Sequence, residues 1–152
     1  MDKHILKELN EMSHLSCMKI QEEDGVLIVY VNGTYLKPVD AGQNLNENSV
    51  IKILDKAANE IIADETIVYK ITFDSYIGYT VLNESYSAYG DDKFVYGNLF
   101  RVYTASRYLK FIEETTYAGS FTKSYKHYGI LCLDQVVDVI CEHEPEITKH
   151  LR

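Results

Sequence analysis

The chain has 152 residues, of which 46% are hydrophobic and 25% charged, and its formal net charge is −8. This length and composition predict one globular domain over residues 1–152 rather than a disordered or disulfide-stapled chain. The negative charge disfavours binding to duplex nucleic acid or anionic membranes, and no apolar run is long enough to span a membrane.

The first elements are predicted by helical spacing and by two turn dipeptides. Apolar residues recur every three or four positions over 2–12, which indicates an amphipathic helix. Asp24-Gly25 and Asn32-Gly33 supply the positive φ angles of type I′ turns, so a three-stranded β-meander is expected over 16–37. Its middle strand, 26–31, is apolar at every position and is expected to be buried on both faces.

The next stretch is predicted to be a loop, a helix and two strands. Residues 38–47 form a polar loop, and the apolar stripe of 48–63 is typical of a long helix. From 66 the period changes to two, which places Ile67, Tyr69, Ile71 and Phe73 on the core face of a strand. Asp74-Ser75 is expected to turn the chain into a second strand over 76–82.

The third quarter of the chain begins with a predicted loop over 83–92. Alternation of apolar and polar residues then predicts one strand over 93–104, with Phe100 and Val102 facing the core. Phe94, Tyr96 and the later Tyr108 are also expected on the core side. Ser106 is expected to cap a helix that ends near residue 116, followed by a polar loop over 117–125.

The last part of the chain is predicted to be mostly strand. Residues 126–133 are expected to form one strand, and the β-branched residues of 134–141 favour a second, although their spacing also fits a helix. A short helix is expected after Pro145, within a loosely packed tail over 142–152. The whole pattern predicts an α+β domain, mainly antiparallel sheet with two or three helices.

The three cysteines do not form a disulfide framework. Cys17, Cys132 and Cys141 are odd in number and widely spaced, and the first residues carry charge where a signal peptide needs an apolar run, so a cytoplasmic protein is expected. Cys132, Cys141 and His143 lack the paired spacing of a zinc site, and we therefore expect neither a metal nor a cofactor. No spacing places a nucleophile beside a base, so an enzyme is the least supported class.

Tyrosine is the most distinctive residue type, with 13 in the chain, 11 of them between residues 69 and 128. That stretch has 6 acids and 7 bases, whereas residues 1–68 have 12 acids and 6 bases and residues 129–152 have 5 acids and 2 bases. Tyrosine and arginine are favoured at binding surfaces. The candidate binding residues between 99 and 128 are Arg101, Tyr103, Arg107, Tyr117, Lys123, Tyr125, Lys126 and Tyr128.

Two functions follow from these features. The first is a non-enzymatic module that docks on another, basic protein, in the manner of small acidic inhibitors or immunity proteins, because acidic flanks speed association with a basic partner. The alternative is the binding of a small anionic, nucleotide-like ligand, since tyrosine rings stack on bases while arginine and lysine neutralise phosphate. A deep pocket lined by tyrosines and Arg107 would favour the ligand, and a flat acidic or tyrosine patch would favour the protein.

Overall fold

The computed structural model describes residues 1–38, 59–88, 90, 92–121 and 124–152. Its helices are α1 (Lys3–Glu11), α2 (Arg107–Thr115), α3 (Ala118–Phe121) and a short 3-10 helix (Glu84–Tyr86). Its strands are β1 (Leu15–Glu23), β2 (Val26–Pro38), β3 (Asn59–Ala63), β4 (Ile67–Phe73), β5 (Tyr76–Asn83), β6 (Lys93–Tyr96), β7 (Phe100–Ala105), β8 (Lys126–Leu131), β9 (Gln135–Cys141) and β10 (Glu146–Leu151). None of the described helices is long and apolar enough to cross a membrane, since α1 and α2 have nine residues each.

The strands form two antiparallel sheets of five strands each, and the predicted α+β class is confirmed. The first sheet has the order β1-β2-β4-β10, with β3 also paired to β2, and the second has the order β5-β9-β8-β7-β6. The main core contains Val29 and Ile71 from the first sheet, Ile130 and Val137 from the second, and Leu9 from α1, all fully buried. One face of each sheet therefore lines the core, and the other face is left for different contacts.

Helix α1 is held by its cap and by its contacts with the first sheet, and the helix predicted over 2–12 is confirmed. The Asp2 carboxylate accepts the backbone N–H of His4 at 2.8 Å, which satisfies one of the unpaired donors at the helix start. Glu8 accepts hydrogen bonds from Lys149 and from the Tyr69 hydroxyl, which tie the helix to β10 and β4. These two bonds, the one from Lys149 first, lower the pKa of Glu8.

The first predicted turn is present and the second is not. Asp24 and Gly25 have φ angles of 52° and 78°, as a type I′ turn requires, and they join β1 to β2. At Asn32-Gly33, however, β2 runs on to Pro38, so the predicted three-stranded meander is wrong. The Asn32 side chain is fully buried and donates to the Asp64 carbonyl at 3.0 Å, so its amide serves a tertiary contact instead of a turn.

Strand β2 is buried fully on one face only. Leu27, Val29 and Val31 are completely buried, whereas Ile28 and Tyr30 between them are half-buried. The prediction of burial on both faces therefore holds for one face and in part for the other. The apolar residues on the outer face of β2 are explained by the partial burial of that face.

Strand β3 occupies the end of the predicted helix over 48–63. Residues 48–58 and the loop over 39–47 lie outside the described residues, but Asn59–Ala63 is strand, so the helix prediction is wrong there. The register pairs Thr34 with Ala63, and Val31 with Tyr69, which places β3 and β4 end to end along the same edge of β2. Pairing with that edge overrides the helical spacing of the sequence.

The strand predicted over 93–104 is a hairpin of two strands, β6 and β7. Gly97, with a φ of 88°, turns the chain between them, and only glycine adopts this conformation without strain. Phe100 is fully buried as expected, whereas Phe94 and Tyr96 on β6 are 45% and 40% exposed, so their predicted core positions are wrong. A continuous strand would have needed Gly97 in extended conformation.

The remaining predictions from β4 onward are mostly confirmed. Strand β4 buries Tyr69, Ile71 and Phe73, and β5 and β8 lie where strands were expected. The preferred reading of 134–141 as strand is confirmed by β9. The short helix expected after Pro145 is wrong, because Glu146–Leu151 pairs with β4 over six residues and Ile147 is buried in the main core, so the segment is not a loose tail there.

Helix α2 packs on the outer face of the second sheet. Ser106 caps it as predicted, since the Ser106 hydroxyl accepts the Leu109 N–H at 2.9 Å. Ile112 of α2, Ala118 of α3 and Ile140 of β9 form a second, smaller core there. Helix α2 covers part of this outer face, and a pocket lies on the part that the helix leaves uncovered.

Candidate functional site

A pocket of about 430 Å³ lies on the outer face of the second sheet, beside the start of α2. The alternation along β7, β8 and β9 decides which side chains reach it, because Phe100, Tyr128 and Val139 point to the main core. The residues between them point outward. The pocket is lined by Leu82, Tyr86, Ser87, Ala88, Gly90, Asp92, Phe94, Arg101, Tyr103, Arg107, Tyr108, His127, Val136 and Asp138.

His127 is the centre of the packed side of this pocket. Its ring is stacked on Tyr103, with centroids 4.1 Å apart and planes 10° apart, and the Tyr108 ring meets it edge-on at 5.6 Å. Its Nε2 lies 2.8 Å from Asp138 Oδ1, and its Nδ1 lies 2.7 Å from the Ser106 hydroxyl. The buried imidazole is therefore fully hydrogen-bonded and holds β8, β9 and the start of α2 in one arrangement.

This trio of serine, histidine and aspartate differs from a nucleophilic triad in the role of its serine. Ser106 Oγ already accepts the Leu109 N–H as the helix cap, and the serine is not among the residues that line the pocket. A nucleophile has to reach a bound substrate. The hydrogen bonds and ring contacts of His127 hold Asp138, Tyr103 and Tyr108 in place beside the pocket.

The absence of a side chain at Gly129 makes room for the site. Gly129 lies opposite Arg101 in the register of β7 and opposite Asp138 in that of β9. A Cβ at this position would come within 2.9 Å of the Tyr103 ring and 3.2 Å of Asp138 Oδ1. Any larger residue would therefore displace the tyrosine or the carboxylate from its place beside His127.

Two arginines lie at the open side of the pocket and are anchored by their own contacts. Arg107 donates to the Ala88 carbonyl at 2.8 Å and lies 4.0 Å from Asp92. The Arg101 guanidinium lies over the Phe94 ring, 4.7 Å from its centroid. Both cations are thus positioned before any ligand arrives, which lowers the entropy cost of using them.

The two inner tyrosines keep their protons at neutral pH. Burial raises the pKa of Tyr108 to about 12, and the Asp138 charge adds to this effect. Burial also raises the pKa of Tyr103, against a smaller opposing effect of the hydrogen bond with Arg101. Both phenols are therefore available as neutral hydrogen-bonding groups.

The structure brings three of the eight candidate binding residues together. Arg101, Tyr103 and Arg107 line the pocket. Lys126 instead forms an ion pair with Glu144, and Tyr117 is an exposed residue before α3.

Two further candidates lie elsewhere in the fold. Tyr125 is half-buried against the second, smaller core, and Tyr128 is 1% exposed within the main core. Tyr128 lies in a strand whose period points it inward, so it packs between the sheets. Lys123 lies outside the described residues.

His127 and Asp138 line the pocket but are not among the predicted binding residues, although the sequence around them carries a signal. Asp138 is the single charged residue in the otherwise apolar run 136–141, and a carboxylate within a strand usually has a specific partner. His127 directly precedes another buried run. Their pairing depends on the alignment of β8 with β9, which places these side chains on the same face. Asp92 and Phe94 reach the pocket only through the β6–β7 hairpin.

Cys17 and Cys132 form a thiol pair at the junction of the two sheets. The Leu133 N–H donates to the Leu15 carbonyl at 2.9 Å, which brings the start of β1 against the turn after β8. A hydrogen bond from the Cys132 side chain, assisted by one from Gln135, lowers the pKa of Cys17 to about 7, and burial opposes this change. The same contact and its burial raise the pKa of Cys132. Across the described residues, no three histidine, cysteine or acidic side chains converge as metal ligands.

We predict that Cys17 is alkylated at unusually low pH. Its thiol is half-exposed and its pKa is about 7, so iodoacetamide should react with a half-maximal rate near pH 7 instead of about 8.5. Cys132→Ala should move that midpoint upward, because it removes the hydrogen bond to the thiolate, and Cys141→Ala should leave it in place. Labelling rates followed by peptide mass spectrometry measure both, and a wild-type midpoint near 8.5 would contradict the assignment.

The fold and the pocket together define an α+β protein of two antiparallel sheets with an open polar and aromatic site on one outer face. Comparisons with protein-family models, with curated proteins and with solved structures gave no match to this chain. The chemistry of the site is therefore the basis for a functional proposal.

Proposed function

We propose that the protein binds a small anionic ligand that contains an aromatic ring, in the pocket on the outer face of the second sheet. The observation that carries this proposal is the meeting of Arg101 and Arg107 with several aromatic side chains around one cavity of about 430 Å³. Ligand sites are concave, largely apolar and equipped with a few convergent polar groups. This volume lies within the range of pockets for molecules of nucleotide size.

The contacts at the pocket support an aromatic anion more than a simple inorganic anion. Tyr86 is 80% exposed and Phe94 45% exposed, so both rings offer surface that a planar ligand would cover. Arg107 is fixed by Asp92 and Ala88 in a position to meet a phosphate or carboxylate at the open side. An inorganic anion would use the arginines and leave the rings exposed.

A ligand screen by thermal shift tests the proposal. Mononucleotides and aromatic carboxylates are added to the wild-type protein, and at least one should raise the melting temperature because it binds only the native state. Arg107→Ala should weaken that ligand about tenfold or more, the effect expected from loss of a charge-assisted hydrogen bond. Lys110→Ala is the matched control, since this cation lies on the same helix, pairs with Glu114 and does not line the pocket.

The outcome of the screen separates the possibilities. Equal loss of affinity in the Arg107 and Lys110 variants would indicate general electrostatic attraction instead of a site. No stabilisation by any anionic aromatic compound would refute the proposal.

Docking on another protein is the second candidate function. Strand β6 pairs only with β7 among the described strands, and its residues Phe94, Val95 and Tyr96 are 45%, 69% and 40% exposed. An exposed apolar edge strand is a surface that natural proteins usually cover. A partner could add a strand to this edge, and the chain's net charge of −8 would favour a basic one.

Affinity capture from native lysate tests this second candidate. Wild-type protein should retain a partner in a salt-sensitive manner, and Val95→Lys should lose it because a lysine would disrupt the apolar edge. Thr80→Lys, on the exposed side of β5, is the control. Equal retention by both variants would exclude the β6 edge as the docking surface.

A further inference from the structure

The carboxylate of Asp138 gives the pocket a selectivity that the arginines alone would not. It projects from β9 on the outer face, its side chain is 21% exposed, and it lines the cavity together with His127. A carboxylate only accepts hydrogen bonds. A ligand that brought a second acceptor or an anion to this end of the pocket would be repelled.

The hydrogen bonds of His127 connect the Ser106 cap of α2 to Asp138. Ser106 Oγ accepts the Leu109 N–H, and its own hydrogen can then be donated to His127 Nδ1 at 2.7 Å. When the Ser106 hydroxyl donates to Nδ1, Nε2 carries a proton that it donates to Asp138 Oδ1 at 2.8 Å. In this arrangement Ser106, His127 and Asp138 each have a hydrogen-bond partner. The second carboxylate oxygen of Asp138 takes no part in these bonds.

The pocket is therefore electrostatically two-sided. Asp138 supplies an acceptor at the side built on β8 and β9, whereas Arg101 and Arg107 supply positive charge at the side built on the β6–β7 hairpin and α2. Asp92 also lines the pocket but is already paired with Arg107. A ring that brought only acceptors or negative charge would satisfy the arginines and be repelled by the Asp138 carboxylate.

We infer, on the basis of the proposed function, that the ligand is a nucleotide whose base carries an exocyclic amino group, with the amino edge at Asp138 and the phosphate at the two arginines. The amino group donates to the second oxygen of Asp138. The base lies against the exposed rings at the pocket mouth, and the phosphate replaces water around the guanidinium groups. The second oxygen of Asp138 thus favours a base that presents an amino group to it over a base that presents a carbonyl oxygen at the same place.

Matched nucleotide pairs test the inference by isothermal titration calorimetry. AMP against IMP and CMP against UMP differ in the exocyclic group, which is an amino group in one and a carbonyl oxygen in the other. They also differ at the adjacent ring nitrogen, which is an acceptor in AMP and CMP and an N–H donor in IMP and UMP. Wild-type protein should bind the amino member of at least one pair about tenfold more tightly, the size of effect expected for one hydrogen bond against an unpaired acceptor. The opposite preference would mean that Asp138 does not receive an exocyclic amino group and would overturn the inference.

Asp138→Asn provides the second arm of the experiment. The asparagine carbonyl can still accept from His127, while its amide now presents a donor to the ligand, so the preference should disappear or reverse toward IMP or UMP. The melting temperature of the variant reports whether the scaffold is retained. If the variant does not keep the fold, the preference of the wild-type protein between the paired nucleotides is the test of the inference.

The remaining outcomes separate the inference from the proposed function. Nucleotide binding with no amino preference, or an unchanged preference in a folded Asp138→Asn protein, would refute the inference and leave the proposed function in place. Binding of aromatic carboxylates but of none of the four nucleotides would do the same. Absence of binding by every anionic aromatic compound would refute both.

Discussion

Asn10→Ala should destabilise the protein by about 2–4 kcal/mol, more than its half-buried position on a helix would suggest. Asn10 Oδ1 accepts the backbone N–H groups of Asn98, Leu99 and Phe100 at 2.8, 2.9 and 2.9 Å. Alanine would leave these three donors without their acceptor at the Gly97 turn. Urea unfolding followed by circular dichroism measures the change in the free energy of unfolding.

Two controls isolate the acceptor. Asn10→Asp keeps an oxygen for the three donors and loses mainly the bond that Asn10 Nδ2 donates to the Leu6 carbonyl, so it should cost about 1 kcal/mol. Glu11→Ala, next along the helix, removes an exposed pair with Lys7 and should cost less than about 0.5 kcal/mol. An Asn10→Ala loss no larger than that of Glu11→Ala would show that water replaces the asparagine in the turn.

His127→Ala should have the other large effect, about 3–4 kcal/mol, and should also abolish ligand binding at the pocket. The substitution removes a ring that is 2% exposed and stacked on Tyr103, and it leaves the Ser106 hydroxyl and Asp138 without their shared partner. The cost therefore combines a cavity with unsatisfied polar groups. Thermal and urea unfolding measure the stability, and calorimetry with a ligand from the screen measures the binding.

His143→Ala is the matched control for this prediction. His143 also lies beside an aspartate, with Nδ1 3.7 Å from Asp74, but its side chain is 67% exposed. Solvent screens such a pair, so the loss should stay below about 0.5 kcal/mol. A His127→Ala protein as stable as the His143→Ala protein would mean that the hydrogen bonds of His127 with Ser106 and Asp138 contribute little to the stability of the fold.

Both large effects concern the support of one pocket. The Asn10 contacts hold the hairpin that carries Phe94 and Arg101, and the His127 contacts hold Tyr103 and Asp138. Because the side chains come from separate elements, small shifts of either support would change the distance between the cationic and the acidic sides of the pocket. A substitution at one of these positions that weakens ligand binding and leaves the stability unchanged would show that the position controls the geometry of the pocket.

The elements predicted correctly are those with strong local signals. Helix α1, the Asp24-Gly25 turn, strand β4 and the Ser106 cap each depend on spacing or conformation within a few residues. The failures at residues 59–63, at 146–151 and at Asn32 share one cause, which is contact between distant segments. Residues 59–63 and 146–151 became strands because β2 and β4 offered open edges, and Asn32 served a contact with Asp64 instead of a turn.

The candidate site likewise has features that depend on local sequence and features that depend on contacts between distant segments. Sequence alone determined that arginines and tyrosines concentrate between residues 99 and 128, and it determined the α+β class through local period and turn chemistry. The tertiary structure decided which of them meet, because the register of β7, β8 and β9 sends Arg101, Tyr103, His127 and Asp138 to one face and Tyr128 to the other. The alternation along each strand is a local pattern, but which strands lie side by side, and in which register, depends on contacts between segments that are distant in sequence.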